Sequence, residues 1–246
     1  MFSKTHTKYI QSLQHKKFRD EYGLFLAEGP KVVMDLLNSR KFICKELFAL
    51  NDWLQEHSKQ LSALHDTEIA GVEDFELQKI SSLSTAHDVV AVFEKRKPDL
   101  EIKTASKITL ALDTIQDPGN LGTLIRIADW FGIENIVCSV GCADMYNAKV
   151  VQSTMGSLGR VNVIYTDLVK WLKVSKVNIF SASLEGDDVK AIGKLKEGIL
   201  IIGNEANGVS NEVMELVDKK INIPRIGEAE SLNAAVATGI ILSHIK

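Results

Sequence analysis

The stretch ITLALDTIQDPGNLGTLIRIADWFG, residues 108–132, decides the fold. ITLALD is almost continuously apolar, the mark of a strand buried on both faces. Pro118 disfavours a helical Asp117, and Gly119 permits a tight turn. Asn120 is a good N-cap for the helix LGTLIRIADWFG, in which Leu121, Ile125, Ala128 and Phe131 share one face. Outward from this unit the pattern repeats. NIVCSV, VNVIY, NIFSASL, GILIIGN and KINIP are further apolar runs, most of them separated by helix-like segments. Such alternation predicts an α/β fold with a parallel sheet covered on both faces, over residues 108–246. After the last run comes a polar cluster, Gly227 to Asn233, and then a helix with no charge from Ser231 to Ser243. A helix that apolar is expected to be buried, in the core or against another subunit. Ser231 reads either as its N-cap or as part of a site.

Residues 1–95 read as a smaller α/β domain. GLFLAEG, residues 23–29, is a strand and turn, and a helix is expected over 31–38. FICKELFAL, EIAGV and DVVAVFE supply further short strands. Residues 96–107 are charged, contain Pro98 and lack apolar periodicity, so they read as a linker. The first nineteen residues carry Lys4, Lys8, Lys16, Lys17 and Arg19, with no acid before Asp20. Either this is a solvated helix face, or it is an arm that contacts nucleic-acid phosphates.

The 246 residues are 45% hydrophobic and 25% charged, with net charge −3. That balance gives no global nucleic-acid signal, so any basic surface is local. The three cysteines, Cys44, Cys138 and Cys142, are an odd and low count, which points to a reducing, cytoplasmic setting. Cys138 and Cys142 have no second Cys/His pair near them, and no metal is expected. The first residues lack an apolar core, so no secretory leader is expected there. No apolar run reaches the roughly 20 residues that a membrane span needs.

Three loops follow three of the strands. In the first, Asp113 to Gly122, a glycine-containing turn precedes a helix with Arg126 near its start, an anion-binding candidate. A dinucleotide loop would need GxGxxG, and only Gly119 and Gly122 are present. In the second, Gly203 to Gly208, Glu205 stands at the carboxyl end of GILII, where open α/β sheets bind ligands. It either serves a site or caps the helix beginning near Ser210. The third is the loop before the charge-free helix.

DTIQDPGNLGTLIRIADWFG, GNEANGVS and IPRIGEAESLNAAVATGI resemble, in this order, the three motifs of the SpoU (TrmH) family of RNA ribose 2′-O-methyltransferases, within the SPOUT superfamily. KTHTKYIQSLQHKKFRDEYGLFLAEGPKVV is similar, more diffusely, to the ribosomal-protein-like substrate-binding extension of longer members. The resemblance implies a deep trefoil knot, S-adenosylmethionine bent within it, and a homodimer packed against it. It implies cofactor contacts from the backbones of Gly203, Ile223 and Leu232. It places Asn120, Arg126, Glu205, Ser231 and Asn233 at active-site positions. Ala206 stands where members usually have Gly. Arg225 stands where many have Met, and either touches RNA or pairs with Glu228 or Glu230. The implied substrate is ribosomal RNA, with transfer RNA and a non-catalytic, RNA-binding assembly role as alternatives.

Overall fold

The computed structural model describes residues 3–97, 99 and 102–246. Of the residues read above as linker, Pro98, Leu100 and Glu101 lie outside the described ones, as do Met1 and Phe2. Contacts divide the chain into two compact units, Met1–Lys97 with Asp144–Gly159, and Pro98–Ala143 with Arg160–Lys246.

The elements of the N-terminal part are α1 Lys4–Ser12, α2 Lys16–Tyr22, β1 Leu24–Glu28, α3 Pro30–Ser39, β2 Cys44–Ala49, α4 Asn51–Glu56, α5 Ser58–Leu61, β3 Glu68–Gly71, α6 Asp74–Ile80 and β4 Val89–Glu94. Among the described residues its sheet has the order β1-β4-β2-β3. The β1–β4 and β2–β4 pairs are antiparallel, and β2–β3 is parallel. One sheet face buries Leu26, Phe48, Val90 and Val92 against Ile10 and Leu13 at α1 and Leu77 and Ile80 of α6. The opposite face carries an aromatic cluster, with the Phe25 ring 4.7 Å from that of Tyr146. Tyr146 belongs to the 144–159 segment, which sequence patterning leaves with the second domain. Arg19 is a correction to the basic arm. Its side chain is 2% exposed and ion-paired to Asp144 at 2.7 Å. It also donates to the carbonyls of Leu13 and Gln14 at 3.0 and 2.8 Å. A buried guanidinium needs every donor satisfied, and these contacts leave it no phosphate to meet.

The remaining elements are β5 Ile108–Leu112, α7 Pro118–Trp130, β6 Asn135–Ser139, α8 Ala148–Ser153, β7 Asn162–Thr166, α9 Leu168–Lys173, β8 Ile179–Asp188, α10 Val189–Ile192, β9 Gly198–Ile202, α11 Asn211–Met214, β10 Lys219–Asn222 and α12 Ala234–Ile245. All but α8 belong to the second unit. Each strand coincides with one of the six apolar runs. They form a sheet in the order β10-β8-β9-β5-β6-β7, with every pair parallel. Ala111, Val137, Ile199 and Ile201 pack one face onto Leu168 and Leu172 of α9 and Val213 of α11. Helices α7 and α12 pack on each other. There Gly239 admits Ile127 Cδ1 to 3.9 Å from where a Cβ would stand.

Strand order sets the position of the site. From β5 the chain steps outward to β6 and β7, then crosses to the other side for β8. The order reverses between β5 and β9, whose carboxyl ends lie side by side, Leu112 opposite Ile202. Open α/β sheets commonly bind ligands at the carboxyl ends of strands beside such a switch point.

Two caps differ from expectation. Helix α7 begins at Pro118, and its N-cap is Asp117, whose carboxylate accepts the Asn120 N–H at 2.8 Å. Proline suits the first helical position because that N–H has no intrahelical partner. Asn120 therefore lies inside the first turn, and its side chain takes no part in the cap. Helix α12 is capped by Asn233, not Ser231. It is also not covered all round within one chain, since Val236 is 51% exposed. No helix among the described residues is long and apolar enough to cross a membrane.

Candidate active site

The three loops meet through their polar side chains. Asn120, on the first turn of α7, donates its amide to Glu205 of the second loop. Its carbonyl oxygen accepts from Asn233 Nδ2 at 2.8 Å. Asn233 Oδ1 accepts the N–H groups of Ala235 and Val236 at 3.0 and 3.3 Å. Capping α12 thus fixes which end of the Asn233 amide is left to reach Asn120. One carboxylate and two amides are linked in a row, from three loops far apart in sequence. Glu205 does not cap the following helix, which starts at Asn211 with Ser210 at the N-cap.

Each loop is braced from beneath by a residue that the sequence reading missed. Asp113 is 4% exposed. Its carboxylate accepts the Ser210 N–H at 2.8 Å and the Thr114 hydroxyl at 3.0 Å, tying the loop after β5 to the start of α11. Asn204 donates to the Thr114 carbonyl at 2.9 Å, while its own oxygen accepts the Ala206 and Asn207 N–H groups at 2.9 and 3.2 Å. The second loop closes as a tight hairpin through paired Asn204 and Gly208 bonds, and a side chain at Gly203 would collide with the Gly208 backbone. Asn222 donates to the Ser183 carbonyl at 3.3 Å and to that of Leu184, holding the end of β10 against β8. All three are polar residues at the carboxyl ends of apolar strands, and that placement was the available signal.

Below the first loop, Cys142 Sγ accepts the Ile115 N–H at 3.3 Å and donates to the Leu112 carbonyl at 3.3 Å. A hydrogen bond from Cys138 lowers the Cys142 thiol below its ordinary range, and the same bond, with burial, pushes Cys138 well up. Among the described residues no cluster of His, Cys, Asp or Glu is arranged to hold a metal.

Between the second and third loops lies a cavity of about 720 Å³. That is ample for a nucleoside-sized ligand. Gly203, Ile223 and Leu232 all line it, as do Glu205 and Ser231. Ile202, Ile221 and Ile241 contribute apolar wall, and the charged lining is Glu185, Glu205 and Glu230 against Arg225. Three carboxylates facing one guanidinium favour a cationic ligand. Arg225 pairs with neither Glu228 nor Glu230. Its guanidinium donates to the Ala229 carbonyl at 3.3 Å and braces the third loop.

Arg126 is not drawn into the Asn120–Glu205–Asn233 row. It is exposed on α7, and no ion pair or hydrogen bond engages it among the described residues. Lys4, Lys8, Lys16 and Lys17 are all exposed on α1 and α2.

Comparison with known proteins finds two family matches along the chain. The model of the SpoU rRNA methylase family matches residues 107–243, and that of the MRM3-like substrate binding domain matches residues 4–91. The 23S rRNA (guanosine(2553)-2′-O)-methyltransferase RlmP of Bacillus subtilis is 31% identical over 96% of this chain and 94% of its own. An AdoMet-bound rRNA methyltransferase from Sinorhizobium meliloti superposes with a TM-score of 0.86 at 31% identity, over 98% of this chain and 95% of its own. The SpoU methyltransferase AviRb of Streptomyces viridochromogenes, solved with AdoMet, superposes with a TM-score of 0.85 at 25% identity, over 98% and 96%.

Proposed function

Since this chain belongs to the SpoU rRNA methylase family, we propose that it transfers a methyl group from S-adenosylmethionine to a ribose 2′-hydroxyl of ribosomal RNA. The observation that carries this reading is the row Glu205–Asn120–Asn233, which joins three loops at the rim of the cavity lined by Gly203, Ile223 and Leu232. The lining fits the cofactor, with apolar wall for a base and excess negative charge for a sulfonium. S-adenosylmethionine supplies an electrophilic methyl whose leaving group is a neutral thioether.

The residues of the chain then have an alignment task. Backbone groups of Gly203, Ile223 and Leu232 hold the cofactor. Glu205 fixes the Asn120 amide, and Asn233 fixes its carbonyl, so Asn120 presents one orientation to the target ribose. Ser231 lines the cavity and closes the third loop over it. Arg126 clamps the phosphate of the target nucleotide and stabilises charge developing on the attacking oxygen. A guanidinium stays protonated, so Arg126 is not the base, and the hydroxyl proton leaves to phosphate or water.

The reading extends to organisation. Residues 1–95 hold the RNA substrate, with Lys4, Lys8, Lys16 and Lys17 on its phosphates, residues 96–107 link, and 108–246 catalyse. The segment after β10 threads the deep knot typical of this family. The protein is a homodimer that covers exposed Trp130 of α7 and Val236 of α12. It works in the cytoplasm, where Cys44, Cys138 and Cys142 stay free thiols, as they are here.

The test is transfer of labelled methyl from S-adenosylmethionine to RNA from cells lacking the gene, with Arg126→Ala alongside. A 2′-O-methyl blocks alkaline cleavage at its own linkage. Label in one alkali-resistant dinucleotide of ribosomal RNA, lost with Arg126→Ala, supports the reading. Absence of label on both naked RNA and intact ribosomal subunits, despite cofactor binding, replaces it with a non-catalytic assembly role.

A further inference from the structure

Helices α1 and α2 carry more than lysines. Tyr22, the last residue of α2, is 44% exposed. Its ring stacks on Phe18 at 6.1 Å with planes 16° apart, and meets Tyr9 of α1 edge-on at 5.4 Å. His6 continues the row, 5.9 Å from Tyr9. Lys17 Nζ lies 5.7 Å from the centre of the Phe18 ring. A single exposed tyrosine needs no explanation. A tyrosine held in place by two half-buried rings, on helices with four exposed lysines, is a preformed platform. Nearby acids are mostly engaged. Asp20 pairs with Lys95 and Glu46 with His6, which leaves Glu21 against Lys4, Lys8, Lys16 and Lys17.

We propose that this surface binds unpaired RNA nucleotides, stacking a base on Tyr22 while Lys8, Lys16 and Lys17 hold the adjoining phosphates. The inference rests on the reading of this chain as an RNA-modifying enzyme, and it deepens that reading by naming the form of RNA the first unit takes. Chemistry selects the single strand. In a duplex the bases are stacked on each other, and protein meets phosphates and ribose hydroxyls, for which an aromatic face has no use. An unpaired base offers a π-face of any sequence, and the combination of ring and cation suits it. On this view the target nucleotide lies in or beside a loop or bulge, and the first unit engages a flanking unpaired residue.

The test compares full-length wild-type protein, Tyr22→Ala and Tyr22→Phe for binding, at fixed salt, to a fluorescein-labelled oligouridylate and to a duplex RNA of equal length. The expected result is an approximately tenfold loss for Tyr22→Ala on oligouridylate, with Tyr22→Phe retaining wild-type affinity and duplex binding unchanged. Unchanged melting temperature and cofactor affinity establish that the variants are folded. Equal losses on both RNAs, no loss on oligouridylate, or no binding of oligouridylate by the wild type each overturn the proposal. Methyl transfer is read separately. Tyr22-dependent binding without any transfer removes the catalytic reading and leaves stacking intact, whereas transfer with Tyr22-independent binding removes stacking alone.

Discussion

At the residue scale, Asn233 has two tasks that chemistry can separate. Its oxygen caps α12 and its nitrogen reaches Asn120. Asn233→Asp keeps the capping acceptor, loses the donor and places a second carboxylate near Glu205. Thermal stability should stay near wild type while methyl transfer falls by roughly a hundredfold, the scale of one lost positioning contact. Asn233→Ala should lose the transfer and also about 1 kcal/mol of stability. If the Asp variant kept full transfer, the Asn120 contact would have no part in alignment. Cysteine reactivity offers an independent probe. Burial pushes Cys44 up to about 12, whereas Cys142 is lowered and only partly buried. Thiolate is the reactive form, so iodoacetamide at neutral pH should label Cys142 before Cys44 and Cys138, as read by peptide mass spectrometry. The same scale is where the sequence misled. Arg19 sits among lysines and looks like them, but its partner Asp144 is 125 residues away, and no local pattern announces such a pair.

Among elements, the strands were the legible part. Central parallel strands buried on both faces, β5 and β9 above all, are unbroken apolar runs, and the outer strands are legible from shorter apolar stretches. Helix starts were less legible, because several residues near each start can cap. Asp117 and Asn120 compete before α7, and Pro118 decides by occupying the first helical position. Ser231 and Asn233 compete before α12, and the turn geometry gives it to Asn233. The second loop makes a sharper prediction. Gly203 has no left-handed backbone requirement; its constraint is the nearness of Gly208. Gly203→Ala should force the hairpin outward, cost about 1–3 kcal/mol of stability and weaken S-adenosylmethionine binding in calorimetry, because that hairpin lines the cavity. Cofactor affinity equal to wild type would show that the hairpin is not part of the binding wall.

For the whole molecule, the sequence located two α/β parts but not their true membership, since residues 144–159 lie in the chain between β6 and β7 of the second unit and only long-range contacts assign them to the first. Association is the property to test at this scale. Trp130 is 85% exposed, and Val236 is exposed on the helix that packs against its own. Light scattering should give a dimer for the wild type and a monomer for Trp130→Glu combined with Val236→Glu. A dimer unaffected by both charges would place the interface elsewhere. Alkali should also act unevenly. Burial raises Tyr9 and Tyr146 to about 12 from an ordinary 10. The unfolded chain then loses these protons first, so their stabilising contribution is full below pH 10 and declines as pH rises towards 12. Both tyrosines lie in the first unit, whose unfolding, followed by circular dichroism, should be the more alkali-sensitive.

The excursion of residues 144–159 also governs how the protein can be made. The polypeptide leaves the first unit at Lys97, returns to it at Asp144 and departs again after Gly159. A ribosome that has released only the first 97 residues has therefore delivered an unfinished body, with Phe25 still waiting for Tyr146 and Arg19 for Asp144. By the time Gly159 emerges, β5 and β6 are already outside, though their sheet lacks β7 to β10. The two bodies mature in overlapping time rather than one after the other. A gene cut at the apparent boundary would yield a first fragment lacking residues 144–159 and a second fragment carrying them with no body of their own to complete.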